Sequence, residues 1–391
     1  MSDDSDDGGF DSVTEVTSEG WGSRIFGSIA GVVFGLVLFI VAFPLLIWNE
    51  SRAVDTATAL AEGRAAVVSV KADSIAAANE GHLVYVHGHL SAGETLVPKT
   101  VMSEPALKLR REVEVYQWEE TKKSVTEKEL GGSTTTRTTY SYKKEWSGHL
   151  HDSNAFHVHE KHHNPTSMPL ENSTSVVEGA KLGAFRLTNP VLNLLNGYHS
   201  VPEQAQAALV RRDVHKSTTV QGEWAYAGNP VQPEVGDFRV KYSYVPLTEA
   251  SVIGRQSDGA IETYTTRNGH ELVMGEMGLV SPDSMFKAEE QGNAILTWAL
   301  RVGGWIAMLI GMMLIVRPLS VLADVIPFLG DVLSAGVFLV AFPVSLCLTL
   351  VTVSIAWIMV RPMIGIPLLV VGVALLALPV LRRRRRAAEA K

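Results

Sequence analysis

Hydrophobic residues in this chain gather into four long runs, one near the start and three crowded at the end. Ile25–Trp48 contains no charge, Leu296–Val316 carries only Arg301, and Val332–Val360 and Pro362–Leu381 carry none. A bilayer core needs roughly 20 apolar residues per helix, so each run is long enough to span it. Between the first and second runs lies the polar stretch Asn49–Ile295, large enough for a domain of its own. The pattern predicts a multi-pass α-helical membrane protein with four transmembrane helices, one N-terminal and three C-terminal. It displays one large extracytoplasmic or lumenal domain. The expected division is a tail at 1–24, spans at 25–48, 296–316, 332–360 and 362–381, a domain at 49–295, a connector at 317–331 and a tail at 382–391.

Within 49–295 strand signals dominate. Leu107, Leu109, Val113 and Val115 alternate with Lys108, Arg110, Glu112 and Glu114, and a second β-rich run covers Thr134–Trp146. Gly131-Gly132-Ser133 supplies the turn between them, so a long antiparallel hairpin is expected, with Tyr116 and Trp118 facing Tyr140, Tyr142 or Trp146 across the strands. Asp237–Val245, Ser251–Arg255, Ile261–Thr265 and Glu271–Met274 read as a meander, with tight turns at Asp258-Gly259 and Asn268-Gly269. Helical patterns are confined to Pro202–Arg212 and Pro190–Asn196, which makes the domain α+β with mainly antiparallel sheet. Ser281-Pro282-Asp283 is a helix start, and one long helix should run from there to Arg317-Pro318.

Charge sets the orientation. The chain carries a net charge of -7, with an acidic Ser/Gly-rich leader expected to be disordered and a basic run at Arg382, Arg383, Arg384, Arg385 and Arg386. Basic residues stay in the cytoplasm, so this run, with Arg24 and Arg317, places both termini and the connector inside and the domain outside. The same arginines are candidate contacts for anionic lipid. Cys347, the single cysteine, lies in the third span, so no disulfide stabilises the domain.

Two groups of residues suggest further chemistry. His149, His151, His157, His159, His162 and His163 could supply imidazoles to a metal, but no cysteine accompanies them and no known zinc spacing is matched. The expectation is therefore a solvated His-rich loop, with no metal and no cofactor. Gly27, Gly31 and Gly35 line one face of the first span, and Gly303, Ala307 and Gly311 repeat the spacing in the second. Small residues so placed let helices pack closely. No P-loop, dinucleotide fingerprint, nucleophile elbow or usable Cys–His pair is present, which gives no catalytic residue and no enzyme. Nothing accompanies the basic run to suggest nucleic acid.

The stretch Leu107-Lys-Leu-Arg-Arg-Glu-Val-Glu-Val-Tyr-Gln-Trp118, with Tyr140-Ser-Tyr142, Glu145-Trp146 and Asn164-Pro165, resembles the LUMA family, also called transmembrane protein 43. Glu234-Val-Gly-Asp-Phe-Arg-Val240, Arg301-Val-Gly-Gly-Trp-Ile-Ala-Met308, Asp324, Pro327, Asp331 and Trp357-x-x-x-Arg361-Pro362 extend the likeness. The resemblance implies a scaffold that self-associates and binds other membrane proteins. Lamin- and emerin-type partners apply if the source is eukaryotic. The implied location is the endoplasmic reticulum and inner nuclear membrane, or the inner (plasma) membrane in a bacterium. The expected function is thus a membrane organiser that forms homo-oligomers and contacts membrane lipids. The alternatives are a channel or transporter subunit using Ser345, Thr349, Thr352 and Ser354, and a His-cluster metal sensor.

Overall fold

Helices and a set of mostly antiparallel strands make up the computed structural model, which describes residues 11–214, 218–360, 363 and 365–374. The helices are α1 (Trp21–Ala66), α2 (Asn189–Leu194), α3 (Glu203–Asp213), α4 (Pro282–Ala323) and α5 (Pro327–Val360), followed by the short apolar helix Gly365–Ala374. The chain divides into two compact units. The first holds the described residues up to Thr14, Ala61–Lys123 and Thr139–Lys287. The second holds Glu15–Leu60, Ser124–Thr138 and the described residues from Ala288 onward.

In the first unit the expected hairpin forms, as strands Ala106–Lys128 and Thr134–Ser147, whose far end belongs to the second unit. Gly131 and Gly132 close it with φ of +90° and +83°, a left-handed backbone that glycine adopts without a Cβ penalty. Leu107, Leu109, Val113 and Val115 are all buried, as their alternation requires. Lys108 is buried too; its ammonium reaches the Asn193 carbonyl at 3.2 Å, and burial lowers its pKa. Beside the hairpin, Phe238–Pro246 pairs antiparallel with Ala106–Lys128, and Trp224–Ala227 and Thr219–Gln221 complete that side of the sheet. Helix α3 covers it, burying Leu209 and Val210 against Val240 and Tyr242.

The second sheet closes on itself. Glu249–Ser257 pairs with both Ala260–Glu262 and Leu83–Ser91, and these are linked through Phe185–Leu187 and Lys181–Leu182. A ring leaves fewer bare strand edges than an open sheet. Asp258 and Gly259, both at positive φ, make its tight turn where the sequence placed one. Phe185, Leu182, Ile261 and Val252 form the core inside.

The second unit contains three helices that are long and apolar enough to cross a membrane: Trp21–Ala66, Pro282–Ala323 and Phe328–Ile358. Their surfaces are greasy outside, with Phe26, Val33 and Phe34 more than half exposed, as helices solvated by lipid require. Gly365–Ala374 is the part of the expected fourth span 362–381 that is described, and it is shorter than a full crossing. Arg361, Pro362 and the Arg382–Arg386 run lie outside the described residues.

Three boundaries depart from expectation. Helix α1 continues from Trp48 to Ala66, because Ala53, Ala57, Ala59, Leu60 and Ala61 are strong helix formers and no glycine intervenes before Gly63. Apolarity marks where a helix is in lipid, not where it stops. Helix α4 begins at its expected cap, the Ser284 amide donating to Ser281 Oγ at 3.3 Å, but runs through Pro318 to Ala323. Leu319, Val321 and Leu322 keep that last stretch apolar, where backbone groups are best satisfied within a helix. The connector expected at 317–331 shrinks to 324–326. Finally, the leader expected to be disordered includes a strand, Asp11–Glu19, paired with Thr134–Ser147. Val13, Thr14, Val16 and Thr17 supply the β-branched side chains, and Thr14 and Thr139 hydroxyls meet at 3.2 Å.

The core of the first unit should respond as a close-packed interior does. Phe185→Ala is expected to cost about 3–5 kcal/mol in urea unfolding of the full chain, whereas Val231→Ala, at an exposed site, should change nothing measurable.

Candidate functional site

Charged side chains among the helices of the second unit concentrate at two places. At the first, Glu50 sits two residues past the Ile25–Trp48 run, its side chain 2% exposed. Arg301 lies one turn inside α4 from the expected start of its span. Its Nε and Nη2 donate to the two Glu50 oxygens at 2.6 and 2.7 Å, a two-pronged contact that neutralises both charges. The Trp357 indole N–H of α5 donates to the same carboxylate at 2.5 Å. Trp298 and Trp357 flank the guanidinium, 4.8 and 5.6 Å from their ring centres. One turn further, Arg52 Nη1 donates to Asn293 Oδ1 at 3.0 Å and Nη2 to Thr297 Oγ1 at 3.0 Å, while Asn49 Nδ2 donates to the Thr297 carbonyl at 3.1 Å. Three helices are thereby fastened at one level.

The second place is the other end of α1. Asp324, with 3% of its side chain exposed, accepts from Arg24 Nη2 at 2.5 Å and from Lys128 Nζ at 2.8 Å. Lys128, at the end of the hairpin, also donates to Asp331 at 2.7 Å. Around them the Trp21 indole donates to the Val321 carbonyl, the Gly131 amide to the Val325 carbonyl, and Arg24 to the Gly132 carbonyl. Gly330 makes room for Asp324: a Cβ there would fall 1.7 Å from Oδ1. Burial alone would raise the Asp324 carboxyl, but the hydrogen bonds from Lys128 and Arg24 outweigh it and hold it below the ordinary carboxylate value. Lys128 and Asp324, 196 residues apart in the chain, meet at 2.8 Å within the second unit, to which Ser124–Thr138 also belongs.

Between these places the helices meet backbone to backbone. A Cβ on Gly35 would lie 2.9 Å from the Gly311 carbonyl oxygen, and one on Gly311 would lie 2.8 Å from that of Gly35. Of the other small residues singled out by spacing, Ala307 packs against the Leu46–Met308 cluster, while Gly27, Gly31 and Gly303 face open space. Gly304 is the neighbour that packs, its Cβ position only 2.6 Å from Leu46 Cδ2. At this level the packed position is 304, because a helix of 3.6 residues per turn drifts across a strict four-residue repeat. The hydroxyls offered for a polar pathway turn back to their own helix: Thr349 donates to the Ser345 carbonyl at 2.9 Å, Thr352 to that of Leu348 at 2.8 Å and Ser354 to that of Leu350 at 2.5 Å.

In the first unit the histidines do not converge. His162 is buried and stacks on Tyr142 at 3.8 Å, edge-on to Trp118, with Nε2 3.3 Å from Asp11. His157 stacks on Tyr140 at 4.1 Å. These contacts replace part of the expected cross-strand pairing, of which Tyr116 against Trp146 at 5.2 Å remains. His149, His159 and His163 are exposed. His151 is the one of them, among the described residues, that joins a group of three possible ligands, its ligand atom lying within 4.8 Å of those of Glu119 and Glu145. Lys143 already occupies the space between these carboxylates, 2.9 and 2.7 Å away, and its hydrogen bond lowers the Glu119 pKa. A metal ion there would have to displace that ammonium.

The sequence of the whole chain carries the relationship. The family described as transmembrane protein 43 matches residues 115–362. The chain is 35% identical to transmembrane protein 43 of Mus musculus over 365 residues, 89% of this chain and 90% of that one. The chain belongs to the transmembrane protein 43 family. The Homo sapiens protein is 34% identical over 93% of this chain and 92% of its own length, and the Drosophila melanogaster homolog 30% over 87% and 91%. No solved structure matches. Membership makes this an integral membrane protein, and the name is not that of an enzyme family. Glu50, Arg301, Asp324 and Lys128 stand out as its structural charges. Arg301 and Asp324 fall within family-like motifs in the sequence, but their partners 251 and 196 residues away could not be read from it.

Two outcomes follow from the paired charges. Arg301→Met leaves Glu50 buried without a counter-charge and should destabilise the detergent-purified protein by about 3–5 kcal/mol, while adding Glu50→Gln restores much of the loss; thermal unfolding of the single and double variants measures both. A carboxyl held below its unfolded value of about 3.9 stabilises the fold above that pH and ceases to do so as pH falls through the folded value. The hairpin end should therefore stay docked at neutral pH and be released in acid below about pH 4, read as cleavage near the exposed Leu130 in limited proteolysis.

Proposed function

We propose that this member of the transmembrane protein 43 family is a membrane organiser that self-associates through its helices and recruits other membrane proteins through its sheet-rich unit. The observation that carries this reading is the unequal use of the glycine face on α1. Gly35 is consumed within the chain by Gly311, whereas Gly27 and Gly31 present open backbone amid the exposed apolar side chains Phe26, Ile29, Val33 and Phe34. In a bilayer such a face is suited to close packing against another helix, and a second copy of α1 offers the same small residues. In this reading both termini, the 324–326 link and the hairpin end lie on the cytoplasmic face. Arg24 and Lys128 support that side by the positive-inside rule.

The glycines separate the two roles experimentally. Gly31→Leu should lower the mass of the detergent-purified oligomer in light scattering and leave the thermal midpoint unchanged. Gly35→Leu should lower the midpoint, since its side chain would begin 2.6 Å from Leu314 Cβ. A wild-type protein that is monomeric at every concentration would remove the proposal. For orientation, Leu130→Cys in a Cys347→Ala background should react with an impermeant maleimide from the same face as Ser18→Cys; labelling from opposite faces rejects the shared side.

A further inference from the structure

Glu119 and Glu145 stand on the two strands of the long hairpin in the first unit, and the Lys143 ammonium lies between their carboxylates at 2.9 and 2.7 Å. One ammonium against two carboxylates leaves these three side chains with one negative charge in excess. Hydrogen bonds to Glu145 and Glu119 raise the Lys143 pKa, so the pair of acids holds its cation firmly. The place is a cation position, filled by a single charge.

The imidazole beside it is placed through its backbone. Gln117, fully buried, accepts from the His151 amide at 3.1 Å and donates to the His149 carbonyl at 2.5 Å. Asn164 Nδ2 donates to the His151 carbonyl at 3.2 Å. Both backbone groups of His151 are thus fixed by amide side chains, and a nitrogen of its ring stays within 4.8 Å of a carboxylate oxygen of each glutamate. Its Nε2 is buried and makes no hydrogen bond. Buried polar atoms are seldom left so. A metal ion is the partner that this nitrogen and the two under-neutralised carboxylates would share.

The donor set decides which ion fits. Zinc takes imidazole nitrogen and carboxylate oxygen together, often three ligands from the protein with water in the fourth place. Calcium wants six to eight oxygens, and magnesium keeps most of its waters. A tetrahedral zinc sets its ligand atoms about 3.4 Å apart, so the glutamates must draw in. Their side chains, 27% and 34% exposed at the strand surface, have the freedom to do so. Lys143, 42% exposed on a flexible stem, can turn out to water. The exchange puts two positive charges where there was one and leaves ion and carboxylates neutral.

We propose that Glu119, Glu145 and His151 form a zinc site, in which the ion replaces the Lys143 ammonium and ties the His-rich loop to the hairpin. The exposed histidines His149, His159 and His163 take no part in it.

The test titrates zinc into the full chain, purified in mild detergent without a polyhistidine tag and stripped of metal, in competition with a chromogenic chelator. One ion per chain is expected. His151→Gln and Glu145→Gln should each weaken binding about tenfold or more, and Lys143→Gln, which removes the competing cation, should tighten it about tenfold. His159→Gln combined with His163→Gln should bind as the wild type does, and calcium should not compete. Wild-type affinity in His151→Gln or Glu145→Gln, or loss of binding in the His159 and His163 variant, overturns the site. Unchanged affinity in Lys143→Gln overturns the exchange, and competition by calcium overturns the choice of zinc. Should the site variants fail to fold, the wild type alone decides. X-ray absorption at the zinc edge that shows one imidazole and oxygen neighbours at about 2.0–2.2 Å supports the site, and several imidazoles on the ion overturn it.

Discussion

Everything in the helical unit depends on one constraint: a charge beside hydrocarbon must have a partner. Taking an ion out of water costs several kcal/mol even after the surroundings relax, and an opposite charge with good hydrogen bonds must offset that. Arg301 cannot sit inside an apolar helix unless Glu50 meets it, and Glu50 cannot be buried unless Arg301 and Trp357 satisfy its oxygens. The same holds at the other end, where Asp324 is acceptable because two cations converge on it. The pairs dictate which helix lies next to which, since each joins segments far apart in sequence. The Gly35–Gly311 contact then sets how close α1 and α4 come, and side-chain packing around Leu46 and Met308 fills what remains.

Local signals in the sequence were reliable wherever a residue's fate is settled by its neighbours. The alternation from Leu107 to Val115, the Gly131-Gly132 turn, the Asp258-Gly259 turn and the Ser281 cap all appear where periodicity and turn chemistry put them. The strand at Asp11–Glu19 was invisible because both its faces are exposed, so it has no alternation to betray it. The end of α1 is not legible in hydropathy, which reports the bilayer and says nothing of a helix continuing beyond it. Partners were the least legible: Arg301 plainly needed one, but neither Glu50 nor Lys128 advertises which distant charge it will meet.

The hydroxyls of α5 are tied to protein groups, Ser345 accepting from the Trp305 indole at 3.1 Å and Thr349, Thr352 and Ser354 donating to carbonyls of the preceding turn. Such back-bonding is the ordinary way a membrane helix accommodates serine and threonine. It lets small polar residues pack between helices. The histidines of the first unit are used in a comparable way, as flat surfaces for Tyr140 and Tyr142.

The clamp at Asp324 also has a history in time. Arg24 precedes Asp324 by 300 residues and Lys128 precedes it by 196. At a synthesis rate of about 5–20 residues per second, Lys128 waits roughly 10–40 s for its acid to be made. Through that interval the first helix and the hairpin end exist without the group that neutralises them. Arrival of the last helices is therefore what locks the first one, and assembly of the helical unit is necessarily completed from its C-terminal side.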